Sequence, residues 1–172
     1  MSILTSTKDP RVFVVASPTD SAKNSGDPGY AGRFSSFRGG KSGELQTTLK
    51  DQAVAGKLST INFDYWVGSP SGVPYIMFGA AETAFTIAEA INRGWLNGDA
   101  GDYFTNGIRL SMKTYGISDN DIQQYFDAQP ENEYAGNNMA GLKQILEQKY
   151  VAFFENSGRE SYYNYRRTGI PV

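Results

Sequence analysis

AETAFTIAEAINRGWLNGDAGDYFTNGIRLSMKTYGI, residues 81–117, is the stretch that decides the fold. Ala84, Ala88, Ile91 and Trp95 recur every three or four residues, the period of one helix face. Asn97 and Gly98 break the pattern. Asp99 can then cap a second helix, because its carboxylate accepts from the free backbone N–H groups of the next turn. Asp102 adds negative charge near that helix's positive end. Phe104, Ile108, Met112 and Tyr115 repeat the spacing, and Gly116 ends the run, since glycine tolerates the left-handed conformation common just past a helix. The segment predicts two helices folded together over a four-residue turn. Such a hairpin cannot bury its own faces and needs neighbours, as a unit of a helical-repeat scaffold does.

Moving toward the C-terminus, Ser118 and Asp121 form a capping-box-like start for a helix over Asp119 to Ala128, which Pro130 stops. A loop over 131–137 leads to a stronger helix from Asn138 to Glu155. There Leu142, Ile145, Leu146, Lys149, Ala152 and Phe153 share a stripe, the lysine snorkelling along its stem. Gly158 is expected to close it. Glu160 to Arg167 begins another helix, ended by Gly169-Ile170-Pro171.

Moving toward the N-terminus, the composition shifts near residue 77. Residues 1–76 read as an irregular, loop-rich region with a candidate ligand surface, and residues 77–172 as helical scaffold. In the first part, Arg11 to Ala16 (RVFVVA) and Ile61 to Val67 (INFDYWV) are expected strands. A short helix is expected around Leu45 to Leu49, and Val73 to Phe78 is expected to be extended because Pro74 disfavours helix before it. The fold class is therefore mainly α: helical hairpins behind a loop-rich, weakly β N-terminal half.

Composition prunes the chemistry. The 172 residues carry a net charge of −2 with both signs interspersed, which suggests no phosphate-binding surface and argues against nucleic acid as a partner. No apolar run approaches the roughly 18 residues of a membrane span. The first ten residues carry no signal-peptide apolar region. There is no Cys, hence no disulfide and no thiolate nucleophile, and no His, hence neither the commonest general base nor the commonest zinc ligand. A serine triad and most zinc sites are therefore excluded, and no metal or cofactor is expected. The 11 Tyr and 19 Gly fit either a surface that binds polar ligands through ring faces and hydroxyls or an aromatic core under long loops.

Several motifs have competing readings. Gly40-Lys41-Ser42 resembles the end of a phosphate-binding loop but lacks the glycine five positions earlier, where Ser35 stands. Asn97, Asp99 and Asp102 crowd oxygen ligands, yet a calcium loop also needs a distal bidentate Glu, so capping explains them more simply. Glu82 and Glu89, seven apart on one helix face, could form a glycosidase pair; the simpler reading is that they are solvated or paired with arginine, and the alanine-rich face around Glu89 admits a buried pair there. Arg166-Arg167 after Tyr162, Tyr163 and Tyr165 could clamp a sugar or carboxylate, or pin the tail by Arg–Glu pairing. Trp66 with Tyr65 and Tyr75 is the candidate carbohydrate platform, because sugar C–H faces stack on aromatic planes. On a strand, residues 65 and 66 would point to opposite faces, so only one could line a given surface. The competing reading places Trp66 in the core.

Residues 81–117, together with ILEQKYVAFFENSGRESYYNYRRTGIPV (residues 145–172) and the opening Asp9-Pro10-Arg11, resemble the SusD/RagB-like family of Bacteroidetes surface nutrient-binding lipoproteins. The resemblance implies a tetratricopeptide-like, SusD-like alpha-alpha superhelix with the ligand site in its irregular part. It implies capture of oligosaccharide, or in some members peptide, beside a SusC-like TonB-dependent transporter. It also implies a non-catalytic role, and residence at the outer-membrane surface through a lipid anchor. Family members are considerably longer, so the chain is expected to be a C-terminal portion. An interaction module that docks on the transporter without binding sugar is the alternative. The family has no fixed ligand motif to carry over, so Trp66, Tyr65 and Tyr75 rest on their chemistry alone.

Overall fold

The computed structural model describes residues 2–128, 132–154 and 158–171. The chain divides into two compact units, Met1–Pro74 and Tyr75–Val172.

The first unit holds short helices: α1 (Ser2–Ser6), α2 (Arg11–Val15), α3 (Asp20–Lys23), α4 (Gln46–Val54) and α5 (Phe63–Val67), with 3-10 turns at Tyr30–Gly32 and Phe34–Ser36. Both expected strands are helices here. For α2 the reason is Asp9. Its carbonyl accepts from Val12 N at 3.2 Å and its Oδ1 from Arg11 N at 3.0 Å, which closes the first turn. Pro10, at φ −65°, is already in helical geometry. The preference of Val and Phe for strands is worth less than this closure, and β-propensity largely reflects fit to a sheet surface that is missing here. Val12 and Val15, three apart on the helix, are both buried. All that the described residues keep of β structure is one antiparallel bridge, Ala16 to Ile61. The small core gathers Leu4, Val12, Val15, Ala16 and Phe37, with the Phe13 ring 4.6 Å from Phe34 and 5.4 Å from Phe37. The expected helix near Leu45 is present as the longer α4, and Val73 to Phe78 forms neither helix nor strand. Gly40-Lys41-Ser42 lies in irregular chain, and the next helix starts only at Gln46, so the helix N-terminus of a phosphate loop does not follow it.

The second unit is built on α6 (Ala80–Asn92) and α7 (Ala100–Thr114), followed by α8 (Asp119–Ala128), α9 (Met139–Ala152) and α10 (Gly158–Thr168). The hairpin exists, but its turn is longer than expected. Gly94, at φ 73°, ends α6 early. Gly94 N bonds to Ile91 O at 2.9 Å and Trp95 N to Ala90 O at 2.9 Å, the paired closure of a Schellman motif. Trp95 therefore leaves the helix and stands 72% exposed, with the Arg93 guanidinium 5.3 Å over its ring; it is not part of the buried face. Gly116, at φ 72°, closes α7 the same way, with Gly116 N on Lys113 O and Ile117 N on Met112 O. Asp99 caps α7, accepting from Gly101 N at 2.8 Å and Asp102 N at 3.2 Å. Ser118 and Asp121 form the expected cap of α8, at 3.2 and 2.6 Å.

Asn138 caps α9 by accepting from Ala140 N and Gly141 N. Pro130 and Glu155 lie outside the described residues. Gly158 opens α10 and does not close α9, which ends at Ala152. Packing follows the apolar stripes: Ala84, Phe85, Ala88 and Ile91 of α6 meet Phe104, Ile108 and Met112 of α7, and α9 adds Leu142, Ile145 and Leu146.

Gly107 permits the closest part of this contact. A Cβ there would lie 2.7 Å from the fully buried Phe85 ring, so the ring would have to shift. Gly107→Ala is expected to destabilise the unit by about 1–2 kcal/mol, the overpacking outweighing the helix propensity that alanine adds. Thermal unfolding checks this; a raised melting temperature would show that the ring yields.

Candidate functional site

Tyr65 and Trp66 sit on α5, not on an extended segment, so they do not point to opposite faces. Helical geometry turns successive side chains by about a quarter-turn. The two rings meet edge to face, with centroids 5.0 Å apart at 83°. Both are half-buried, and burial raises the Tyr65 phenol pKa above its ordinary value. Trp66 Nε1 donates to Val15 O at 3.0 Å. Asn62 N donates to the same carbonyl at 3.0 Å, and Asn62 Nδ2 to Val14 O at 2.9 Å. The last carbonyls of a helix lack partners within it. Here α5 and its leading residue supply them for α2. Trp66 is thus anchored at its nitrogen while part of its ring remains open. Nothing in the spacing of Asn62 marks this role; an Asn just before an aromatic helix is the only local signal.

Tyr75 belongs to the second unit and is 74% exposed, beside the exposed Met77 and Phe78. The three proposed platform residues therefore do not form one described surface. Next to Tyr75 a cavity of about 460 Å³ opens where the start of α6 meets the ends of α7 and α9, walled by Ile76, Ala80, Leu110, Tyr115 and Phe153 with Glu82 and Lys113 among its lining.

Glu89 is the electrostatic centre of the second unit. Its Oε1 accepts from Arg93 Nε at 2.8 Å and Arg167 Nη1 at 2.6 Å, and its Oε2 from Arg167 Nη2 at 3.0 Å. Burial works to raise the Glu89 pKa, but hydrogen bonds and charge from Arg167 and Arg93 outweigh it and hold the carboxyl below its ordinary value. A glycosidase acid needs the opposite shift. Glu89 is thus committed to structure, and the buried pairing that the sequence admits is what the fold contains. Arg167 is its partner, while Arg166 turns to Tyr162, with Nη1 donating to the phenol oxygen at 3.1 Å. Lys149 does not snorkel: it is buried, and its Nζ donates to Thr86 Oγ1 at 3.0 Å. Burial lowers its pKa, against the pull of Glu89 and Glu82. Among the described residues no group of His, Cys, Asp or Glu is arranged to hold a metal ion.

The sequence profile of a family described as starch-binding and associating with the outer membrane matches residues 1–172. Solved structures agree. Two SusD homologues from Bacteroides fragilis NCTC 9343 superpose with TM-scores of 0.90 and 0.83 at 29% and 30% identity. A candidate nutrient-binding outer membrane protein from Bacteroides vulgatus ATCC 8482 superposes at 0.88 with 27% identity. Each match covers 99% of this chain and 39% of the other, so the chain spans about two fifths of the structures it resembles. No curated protein matches it.

Proposed function

The chain belongs to the SusD-like family, and from that premise we propose that it serves in the capture of glycan for nutrient import at the outer membrane, without acting on the glycan chemically. The match of the starch-binding family across residues 1–172 is the observation that carries this reading. The engagement of Glu89 by two arginines supports the non-catalytic part, since that carboxylate is unsuited to give up or take a proton near neutral pH. In the whole protein the partner is a SusC-like TonB-dependent transporter and the ligand an oligosaccharide, with surface attachment through a lipid anchor. Among the described residues no helix is long and apolar enough to cross a membrane.

Tyr65 and Trp66 are the proposed sugar contacts of the first unit, with Tyr75 a further exposed ring in the second. Trp66→Ala is expected to weaken oligosaccharide binding about tenfold, in the range of an aromatic anchor. Trp66→Phe, which keeps a ring face but loses the Nε1 donor to Val15, is expected to retain most of the affinity at some cost in stability. Calorimetric titration with maltoheptaose and thermal unfolding separate these effects. Unchanged affinity in Trp66→Ala with a lowered melting temperature would assign the ring to packing alone. The exposed row Tyr75, Met77 and Phe78 favours a second reading, in which the helical unit docks on the transporter through an apolar patch. Peptide in place of glycan is a variant of the first reading.

A further inference from the structure

Arg166 and Arg167 are adjacent, yet they serve different ends. Arg167 fastens α10 to Glu89 of α6, while no residue of α10 is buried. The tyrosines of α10 therefore contribute nothing to a core. Two of them, Tyr162 and Tyr165, join Tyr150 of α9 and Phe154 just beyond it around a concavity of about 420 Å³. That volume lies within the range of small-molecule sites. Tyr150, Tyr162 and Tyr165 are 44%, 54% and 51% exposed. Aromatic surface held open in a concave place keeps its hydration cost until something covers it.

We propose that this tyrosine-lined concavity is a second glycan contact, which takes a neutral pyranose ring. It rests on the glycan-binding reading for its ligand class. Its own support is the chemistry of the walls. Among the described residues the lining carries no Asp, Glu, Lys or Arg, and the Arg166 guanidinium beside it is engaged by the Tyr162 phenol and ring. A pyranose has apolar C–H faces and a rim of hydroxyls. Tyrosine supplies a ring face for the first and a phenol that both donates and accepts for the second. The Tyr162 phenol accepts from Arg166, which fixes its position, and the phenols of Tyr150 and Tyr165 make no hydrogen bond among the described residues. The Ser161 hydroxyl adds a further polar atom. The ion pair to Glu89 holds α10 in place before ligand arrives, so less ordering is required on binding.

Titration of this chain with maltoheptaose, and separately with chitohexaose, tests the assignment. The double variant Tyr150→Ala/Tyr165→Ala is expected to bind the productive probe at least about tenfold more weakly, as for removal of aromatic anchors, while its melting temperature stays close to the parent's because the rings are exposed. The double Phe variant, which keeps the faces and loses the phenols, is expected to lie between. Unchanged affinity in the double Ala variant, with Trp66→Ala still impaired, overturns the second contact and leaves the glycan reading standing. Failure of the parent chain to bind either probe overturns both. A melting temperature lowered by several degrees with unchanged affinity assigns the rings to packing and also overturns the inference.

Discussion

Asp9→Ala is expected to cost the first unit about 3–5 kcal/mol, the usual penalty for removing one partner of a buried ion pair. Asp9 and Arg11 have side chains only 1% exposed each, and Arg11 Nη2 lies 2.5 Å from Asp9 Oδ2. Asp9 Oδ1 also accepts from Arg11 Nε at 2.9 Å and from Arg11 N at 3.0 Å. Alanine leaves a guanidinium in a dry place without its carboxylate and reopens the first turn of α2. The effect spreads, because Val14 and Val15 at the end of α2 hold Asn62 and Trp66 of the α5 segment. The two tryptophans fall one in each unit, so Trp66 fluorescence in a Trp95→Phe background reports the first unit. Urea titration should show an earlier midpoint with little change in slope. Replacing both partners with apolar residues of similar volume, as in Asp9→Leu/Arg11→Met, should cost less than either single truncation. A loss under about 1 kcal/mol for Asp9→Ala would mean that the pair only breaks even against burial.

Glu89→Gln is expected to cost about 2 kcal/mol at neutral pH, the scale of hydrogen bonds to a charged group. Glu89 is 6% exposed, but Arg93 and Arg167 reach solvent, at 26% and 46%, which keeps the figure below that of a fully buried pair. The pH dependence has a definite sign. The folded pKa lies below the ordinary carboxyl value of 4.5. The ionised group's contribution is therefore complete above that value and is lost as the pH falls through the lowered folded pKa. The gap between parent and variant should narrow in acid. If it stays constant down to acid unfolding, the pair contributes shape and not charge. Arg167→Ala probes the same bond from the other end. Because α10 buries no residue, its release should show as new proteolytic cleavage within 158–168 before global unfolding.

The helical scaffold was legible because its signals are local. The apolar stripe of α7, the Asp99 cap, the Ser118–Asp121 cap and the Gly116 closure each lie within one or two turns, and each is formed as read. The end of α6 is set by Gly94, which carries the same glycine signal as Gly116, and not by Asn97-Gly98. The first unit was harder. β-branched runs around Val12 and Ile61 suggested strands, but a strand needs a sheet to lie in, and the described residues build none beyond one bridge. The candidate platform was legible as a set of aromatic residues and not as a surface. Edge-to-face packing of Tyr65 on Trp66 follows from a helix the period did not reveal, and Tyr75 falls in the other unit.

By itself, then, the sequence determined the helical hairpin, its caps and the family resemblance, all of which depend on residues a few positions apart. Tertiary structure alone decided which arginine takes Glu89 across 78 residues, that Trp66 reaches back 51 residues to Val15, and that Lys149 is buried against Thr86. The reason is physical. Periodicity and capping are written in neighbouring residues, whereas the partner of a buried polar group is chosen by whichever distant element the packing brings within about 3 Å.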